Sequence, residues 1–354
     1  MKLAVASFSS GPERADLPEM QDLLEVLEQL APYAVISELT RVQAKGSSLP
    51  VYGIVIGPQD RAVPTLAITA GVHGLERIGS RVIISYLKTL AQLLRWDHVT
   101  RDIFKQLRLV VVPIVNPGGM LMRRRSNPNG VDLMRNAPVE SDVRSRFLLV
   151  AGHRISPKLP WYRGTGEWEP ESGALVKFMK QELFEAKASM VLDIHSGFGT
   201  VDRLWFPYAK TKGPFPHIAE MTRLKQLLDQ THPNHIYVVE PQSQSYTTHG
   251  DLWDYLYDEH IAQHPGKIFL PMALELGSWL WVKKNPRQIF TLVGAFNPLI
   301  PHRYQRILRR HVTLLEFLQR ATLANEKWAF PSADEKAQGQ ALAKKLWFSG
   351  KTKS

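Results

Sequence analysis

The chain has 354 residues, a formal net charge of +11, 44% hydrophobic and 22% charged residues, the mix of a soluble globular protein with room for one large α/β domain or two ordinary ones. A chain of this size buries most of its apolar surface unaided, so any metal it binds serves chemistry rather than folding. It has no cysteine, which excludes disulfides and thiolate-bound zinc and leaves His, Asp and Glu to ligate a metal.

In the stretch 1–18 the apolar run is broken by Ser7, Ser9, Ser10 and Gly11 and is too short for a secretion signal. No stretch reaches the ~18 apolar residues of a membrane span, and the expectation is a cytoplasmic protein. Strands are expected at 51–57 (VYGIVIG) and 65–71 (TLAITAG), followed by a helix over 78–94, where apolar residues recur at helical spacing. The run LRLVVVPIV at 107–115 is apolar on both faces, as a central strand is. Pro, Gly and Trp crowd 154–170, which predicts a long ordered loop. A helix is expected over 172–187 with Ser172 as its N-cap. Strands follow at 189–195, 235–240 and 268–276, then a single helix over 301–323 with Pro301 in its first turn.

Beyond Pro331 the sequence turns polar and small, and Ser332 with Glu335 forms a capping-box signature. The division read from this is an α/β domain over 1–330 and a basic C-terminal tail over 331–354 holding a short helix. Strand–helix alternation implies an α/β fold with a mixed, largely parallel central sheet flanked by helices. Sites in such sheets form at the carboxyl ends of the strands. His73, His195 and Glu275 fall there.

In GVHGLE (71–76), His73 and Glu76 stand three apart at a strand-to-helix corner. They offer one nitrogen and one or two oxygens, which suits zinc. The spacing alone is weak: about one such pair arises by chance in a chain with 12 His. A second pair, His217 and Glu220, is expected on a polar surface helix. The first differs in following a buried strand and in being flanked by Gly71 and Gly74, which permit close backbone approach. LDIHSG (192–197) places His195 at a strand end. Alone it would be a hydrogen-bonded core histidine; beside the first pair it supplies a third ligand, leaving one position open for water. Glu275 in LELG (274–277) ends another apolar strand, where a carboxylate is costly without a task or a partner. Its task is general acid/base work; the bland alternative is a salt-bridged structural Glu. In RRRSNPNGVDLMRN (123–136), Arg125 and Arg135 suit an oxyanion and a substrate carboxylate. Asp132 suits the orienting of a ligand imidazole. Without the other pieces, these arginines read as a basic surface loop.

Taken in order, G-x-H-x-x-E, an Arg before G-V-D-L-x-R-N, a strand ending in D-x-H-S and a strand ending in E-L resemble the M14 family of zinc carboxypeptidases over about residues 50–320. The resemblance implies the family's single α/β domain and one zinc per chain held by His73, Glu76 and His195. It implies Glu275 as general acid/base, Arg125 (with Arg124 an adjacent rival) polarising the scissile carbonyl, and Arg135 holding a terminal carboxylate. It also implies Asp132 behind the first zinc histidine. For the mobile tyrosine that covers the substrate it points to Tyr255, with Tyr257 a neighbour. One position departs: Met134 stands where the family has an Asn that helps bind the carboxylate, and a thioether cannot donate that hydrogen bond.

The substrate expected is therefore a peptide, with an acylated amino acid as the alternative, since deacylases resembling succinylglutamate desuccinylase and aspartoacylase share this zinc site. A charge of +11 would suit nucleic acid, acidic lipid or an acidic substrate, but a solvated basic surface is the more ordinary reading. No zinc finger, RNA-binding aromatic signature or Gly-rich phosphate loop is present, so nucleic acid is not the expected partner. A non-catalytic basic binding protein on a degenerate peptidase fold is the remaining rival.

Overall fold

The structure, a computed structural model, describes residues 17–143 and 149–349. The stretch 1–16 and the end of the basic tail, both read above, lie outside the described residues. Helix α1 (Pro18–Leu30) precedes a hairpin of β1 (Ala34–Ala44) and β2 (Ser47–Ile56). β3 (Thr65–Ala70) leads into α2 (Arg77–Trp96) and α3 (His98–Ile103), and β4 (Arg108–Val112) into α4 (Pro117–Met122). After a long loop come α5 (Pro170–Leu183), β5 (Ala188–Ser196), β6 (Arg203–Phe206) and α6 (Ile218–Thr231), then β7 (Val238–Pro241), α7 (Leu252–Gln263) and β8 (Ile268–Leu276). Five helices follow: α8 (Trp279–Lys284), α9 (Leu292–Phe296), α10 (Pro301–Arg310), α11 (Val312–Leu323) and α12 (Ala333–Ala343).

The strands form one eight-stranded sheet in the order β1-β2-β4-β3-β5-β8-β6-β7. Its centre, β4-β3-β5-β8, is parallel throughout, with antiparallel pairings on either side. Every residue of β3, β4 and β5 is buried, as expected of strands covered on both faces. α2 buries Ile78, Val82, Leu87, Leu90 and Leu94 among others and packs with α11 on β3 and β5. Pro271 is tolerated in β8 because it lies outside the 273–275 stretch that pairs with β6, where no second strand needs its N–H. This centre carries all three strand ends that matter: β3 stops three residues before His73, and β5 and β8 contain His195 and Glu275. Among the described residues no helix is long and apolar enough to cross a membrane.

Several elements differ from the sequence reading. α5 starts at Pro170, which fits a helix's first turn, and Ser172 is not its cap: its buried hydroxyl donates to Asn136. The strand expected at 235–240 begins only at Val238. The helix expected over 301–323 is divided at His311, whose buried ring turns inward to hydrogen-bond Tyr237. His217 and Glu220 are buried rather than on a surface helix; His217 bonds the Tyr257 hydroxyl. After Pro331, Ser332 and Glu335 form a capping box at the start of α12. This segment is docked rather than loose: α12 packs on α6, with Arg223 paired to Glu335, and the Trp347 indole donates to Val239 O.

Candidate active site and metal centre

At the end of β3 the chain must leave the sheet and enter α2 with two side chains aimed at one point. Gly71 makes the turn with a φ of +70°, and Gly74 passes so near the α4 backbone that a Cβ would stand 2.2 Å from the carbonyl carbon of Gly119. The Glu76 amide donates back to His73 O at 3.0 Å, closing the turn. Asn297 braces it, donating to Leu75 O at 2.7 Å and accepting from the Ile78 amide at 2.9 Å. His73 and Glu76 thereby meet His195, and one ligating atom from each lies within 4.8 Å of the others, all three residues buried.

His195 is oriented from behind. Asp193, two residues earlier on the same face of β5, hydrogen-bonds its Nε2 at 2.8 Å and is itself held by the Trp253 indole and the Thr69 hydroxyl. A carboxylate on Nε2 holds a proton there, which leaves Nδ1, 3.2 Å from Glu76, as the nitrogen a metal would take. Asp132, expected to orient His73, lies 3.6 Å from its Nδ1, too far for a hydrogen bond. Its Oδ2 instead accepts from Arg125 Nε and Arg135 Nη1, both at 3.0 Å, so one carboxylate sets two guanidinium groups side by side. Burial works against its charge, but Arg125 and Arg135 hold the Asp132 carboxyl well below the usual range.

The donor set fits a divalent ion of zinc's chemistry: two imidazoles and a carboxylate, gathered and buried. Two further observations support the fit. The His73 Nδ1 is buried with no hydrogen-bond partner. A cation already sits against the cluster, since Arg125 donates to Glu76 Oε1 at 2.9 Å and its Nη2 lies 2.7 Å from His73 Nε2. Burial first, then the charge of Arg125, lowers the pKa of His73 to about 3, which keeps this imidazole unprotonated and able to ligate.

Glu275 stands opposite His195 in the β5–β8 register and lines the same cavity as His73, Arg125, Arg135 and His195. One of its oxygens is buried without a partner. Burial and the neighbouring Glu76 charge push its carboxyl up to about 7. Arg135 lines the cavity with Met134 beside it. Arg124 is exposed and is not among the lining residues, which favours Arg125 of the two rivals by position.

Tyr255 is a correction. It lies on α7, packs edge-on against Trp168 and accepts from Lys180, and it does not line the cavity. Tyr257 is fully buried against Phe215 and His217. The tyrosine in the cavity is Tyr246, which burial keeps neutral by pushing its phenol up to about 12. The physical reason is the cap of α7: Asp251 accepts from the amides of Trp253 and Asp254, so Tyr255 and Tyr257 are committed to a helix. Trp205, Gln242 and Thr248 also line the cavity and were missed, and Asp251 lines it as well.

A family model described as zinc carboxypeptidase matches residues 23–278. Carboxypeptidase SOL1 of Arabidopsis thaliana is 25% identical over 187 residues, which are 49% of this chain and 34% of that protein, so the chain spans about a third of that relative's length. Among solved structures, bovine thrombin-activatable fibrinolysis inhibitor in complex with tick carboxypeptidase inhibitor is similar at a TM-score of 0.63 and 18% identity, covering 87% of this chain and 97% of that one. Carboxypeptidase A from Helicoverpa armigera gives 0.60 at 18% identity, covering 86% and 72%. At such identities these two likenesses concern the fold.

Proposed function

The chain belongs to the zinc carboxypeptidase family, and on that premise we propose that it hydrolyses an amide bond, removing a C-terminal residue from peptides. The observation that carries the reading is the meeting of His73, Glu76 and His195 in one buried cluster, with Glu275 beside His195 on the neighbouring strand and in the same cavity.

His73, Glu76 and His195 would hold one zinc ion per chain. Zinc supplies Lewis acidity there, polarising a carbonyl oxygen and making water nucleophilic at neutral pH. Glu275 takes the proton of the attacking water and passes it to the leaving amine; a carboxyl near 7 gives and takes a proton with little penalty at neutral pH. Arg125 brings positive charge to the developing oxyanion. Arg135 takes the substrate's terminal carboxylate: three of its five N–H donors go to Asp132 and Val150 O, and two remain. Asp132 keeps the two arginines at a fixed spacing. Tyr246 covers the substrate from the loop before α7.

Met134 supports a second reading. It lines the cavity next to Arg135 and offers no donor to a carboxylate, so an N-acyl amino acid deacylase is the alternative. The test is metal analysis of the purified protein beside His73→Ala, followed by a substrate panel. The expected result is about one zinc per chain, lost in the variant, and hydrolysis of blocked dipeptides. Preference for N-acyl amino acids moves the second reading to the front. No metal in the wild type after zinc soaking would sink both.

A further inference from the structure

We propose that the segment 279–310 is a docking surface for a lipid bilayer carrying anionic headgroups. Between Glu275 and Glu316 the sequence has seven Lys or Arg and no Asp or Glu. Lys283, Lys284, Arg287, Arg306 and Arg309 are exposed, and none of them is in an ion pair among the described residues. In α10 the buried or half-buried side is Tyr304, Ile307 and Leu308, while His302, Arg306 and Arg309 recur at helical spacing on the outer side.

The same segment exposes large apolar side chains. Phe290 is 87% exposed, Ile289 50%, Leu299 49% and Trp279 45%. These are not frayed ends. α8, α9 and the turn Pro286–Phe290 pack on one another, and the buried Gln288 amide ties the turn to Gly294 O and Asn297 O at 3.0 and 3.1 Å. The turn is therefore held in place while Ile289 and Phe290, the two residues after that anchor, remain exposed. Trp279 is amphipathic in its placement: its indole N–H donates to Gly197 O at 3.0 Å and nearly half of the residue stays exposed. Several exposed apolar side chains on one braced segment mark an interaction site. Cations interleaved with Trp, Phe and Leu are the composition that lies in a headgroup layer. The aliphatic members decide between polyanions. Ile289 and Leu299 gain nothing by stacking on bases, as they would have to on nucleic acid, but they gain by entering hydrocarbon.

The surface is joined to the candidate site. The Ser196 hydroxyl, one residue after His195, donates to Phe296 O at 2.8 Å, and Asn297 braces the His73–Glu76 turn. Docking would therefore immobilise the segment that buttresses both.

The experiment is co-sedimentation of the full chain with vesicles of phosphatidylcholine, with and without phosphatidylglycerol, at low and high salt. Binding is expected only with the anionic lipid and to fall with salt. Each charge near the surface contributes roughly fivefold in partition, so Lys283→Gln/Lys284→Gln/Arg287→Gln together should weaken binding about a hundredfold. Ile289→Ser/Phe290→Ser, with the charge unchanged, should weaken it tenfold or more. Both variants should keep the wild-type unfolding midpoint, since the substituted side chains are exposed. Absence of binding at low salt, or binding unchanged in both variants, overturns the proposal. Equal binding to a soluble polyanion that ignores Ile289→Ser/Phe290→Ser makes the surface a polyanion site instead. Self-association without vesicles, abolished by that variant, makes it a contact between copies of the chain.

Discussion

Glu275→Gln should move activity and stability in opposite directions. The substitution keeps the shape of the side chain and removes its proton chemistry. Loss of a positioned general acid/base lowers turnover by about 10²–10⁴-fold. Metal content should stay at the wild-type level, because Glu275 is not among the three gathered ligands. Stability follows from the environment: one carboxylate oxygen is buried without a partner and Glu76 lies close. Its pKa rises from an ordinary 4.5 to about 7. With the folded value above the unfolded one, there is no penalty below about 4.5; the penalty grows as pH rises and is complete above about 7. At about 1.36 kcal/mol per unit it amounts to no more than about 3.5 kcal/mol. The Gln variant, stripped of metal by chelation and unfolded in denaturant, should therefore be more stable than equally treated wild type at pH 8 and nearly equal to it at pH 4.5. Turnover within threefold of wild type refutes the catalytic assignment. A variant less stable than wild type at pH 8 refutes the account of its environment.

Tyr246→Phe should lower kcat/KM up to about tenfold, the effect of one hydrogen bond, while Tyr255→Phe should leave it unchanged; the reverse pattern would restore the sequence expectation. Met134→Asn should raise kcat/KM on a peptide with a free terminal carboxylate, relative to its amide, by about tenfold, because it returns a donor beside Arg135; no gain would mean the carboxylate is bound elsewhere. His260 is buried among Phe184 and Phe269 with no hydrogen-bond partner, and burial lowers its pKa to about 3. Its folded value lies below the unfolded ~6.5, so its contribution is intact above that pH and is lost as pH falls toward 3. Between pH 7 and 5 the wild type should lose about 2 kcal/mol more than His260→Phe in denaturant unfolding; equal losses would mean that this histidine titrates normally.

The parts of the site carried by residue type and short spacing were legible in the sequence. His73, Glu76, His195 and Glu275 stand at the ends of runs whose apolar character comes from the parallel centre of the sheet, and such runs announce themselves. Elements whose identity depends on partners were not. β1 presents exposed residues along much of its length and carries Glu38 and Arg41, so no face marks it as a strand. β6 has four residues. The break at His311 depends on Tyr237, 74 positions away. The same limit explains Tyr246: choosing between it and Tyr255 requires knowing that Asp251 caps a helix. The role expected of Asp132 shifted for a related reason. The motif names the residue, but whether its carboxylate reaches an imidazole or two guanidinium groups is set by distances of under an ångström.

The charge of the connected network bears on whether the cluster is a metal site or a buried salt-bridge lattice. Glu76, Asp132 and Asp193 are linked through His73, His195, Arg125 and Arg135. Three carboxylates against two guanidinium groups leave one negative charge uncompensated, before Glu275 at the cavity edge is considered. A lattice selected for stability alone would be balanced, because an unmatched buried charge is strongly destabilising. Here the deficit is concentrated where three ligating atoms converge. Burial resists protonation of His195, yet Asp193 raises its pKa well above the ordinary value, which is how the network answers its missing positive charge. With Glu275 ionised as well the deficit is two, which a divalent cation would match while displacing that proton. That is the physical reason to read His73, Glu76 and His195 as ligands rather than as core residues that happen to touch.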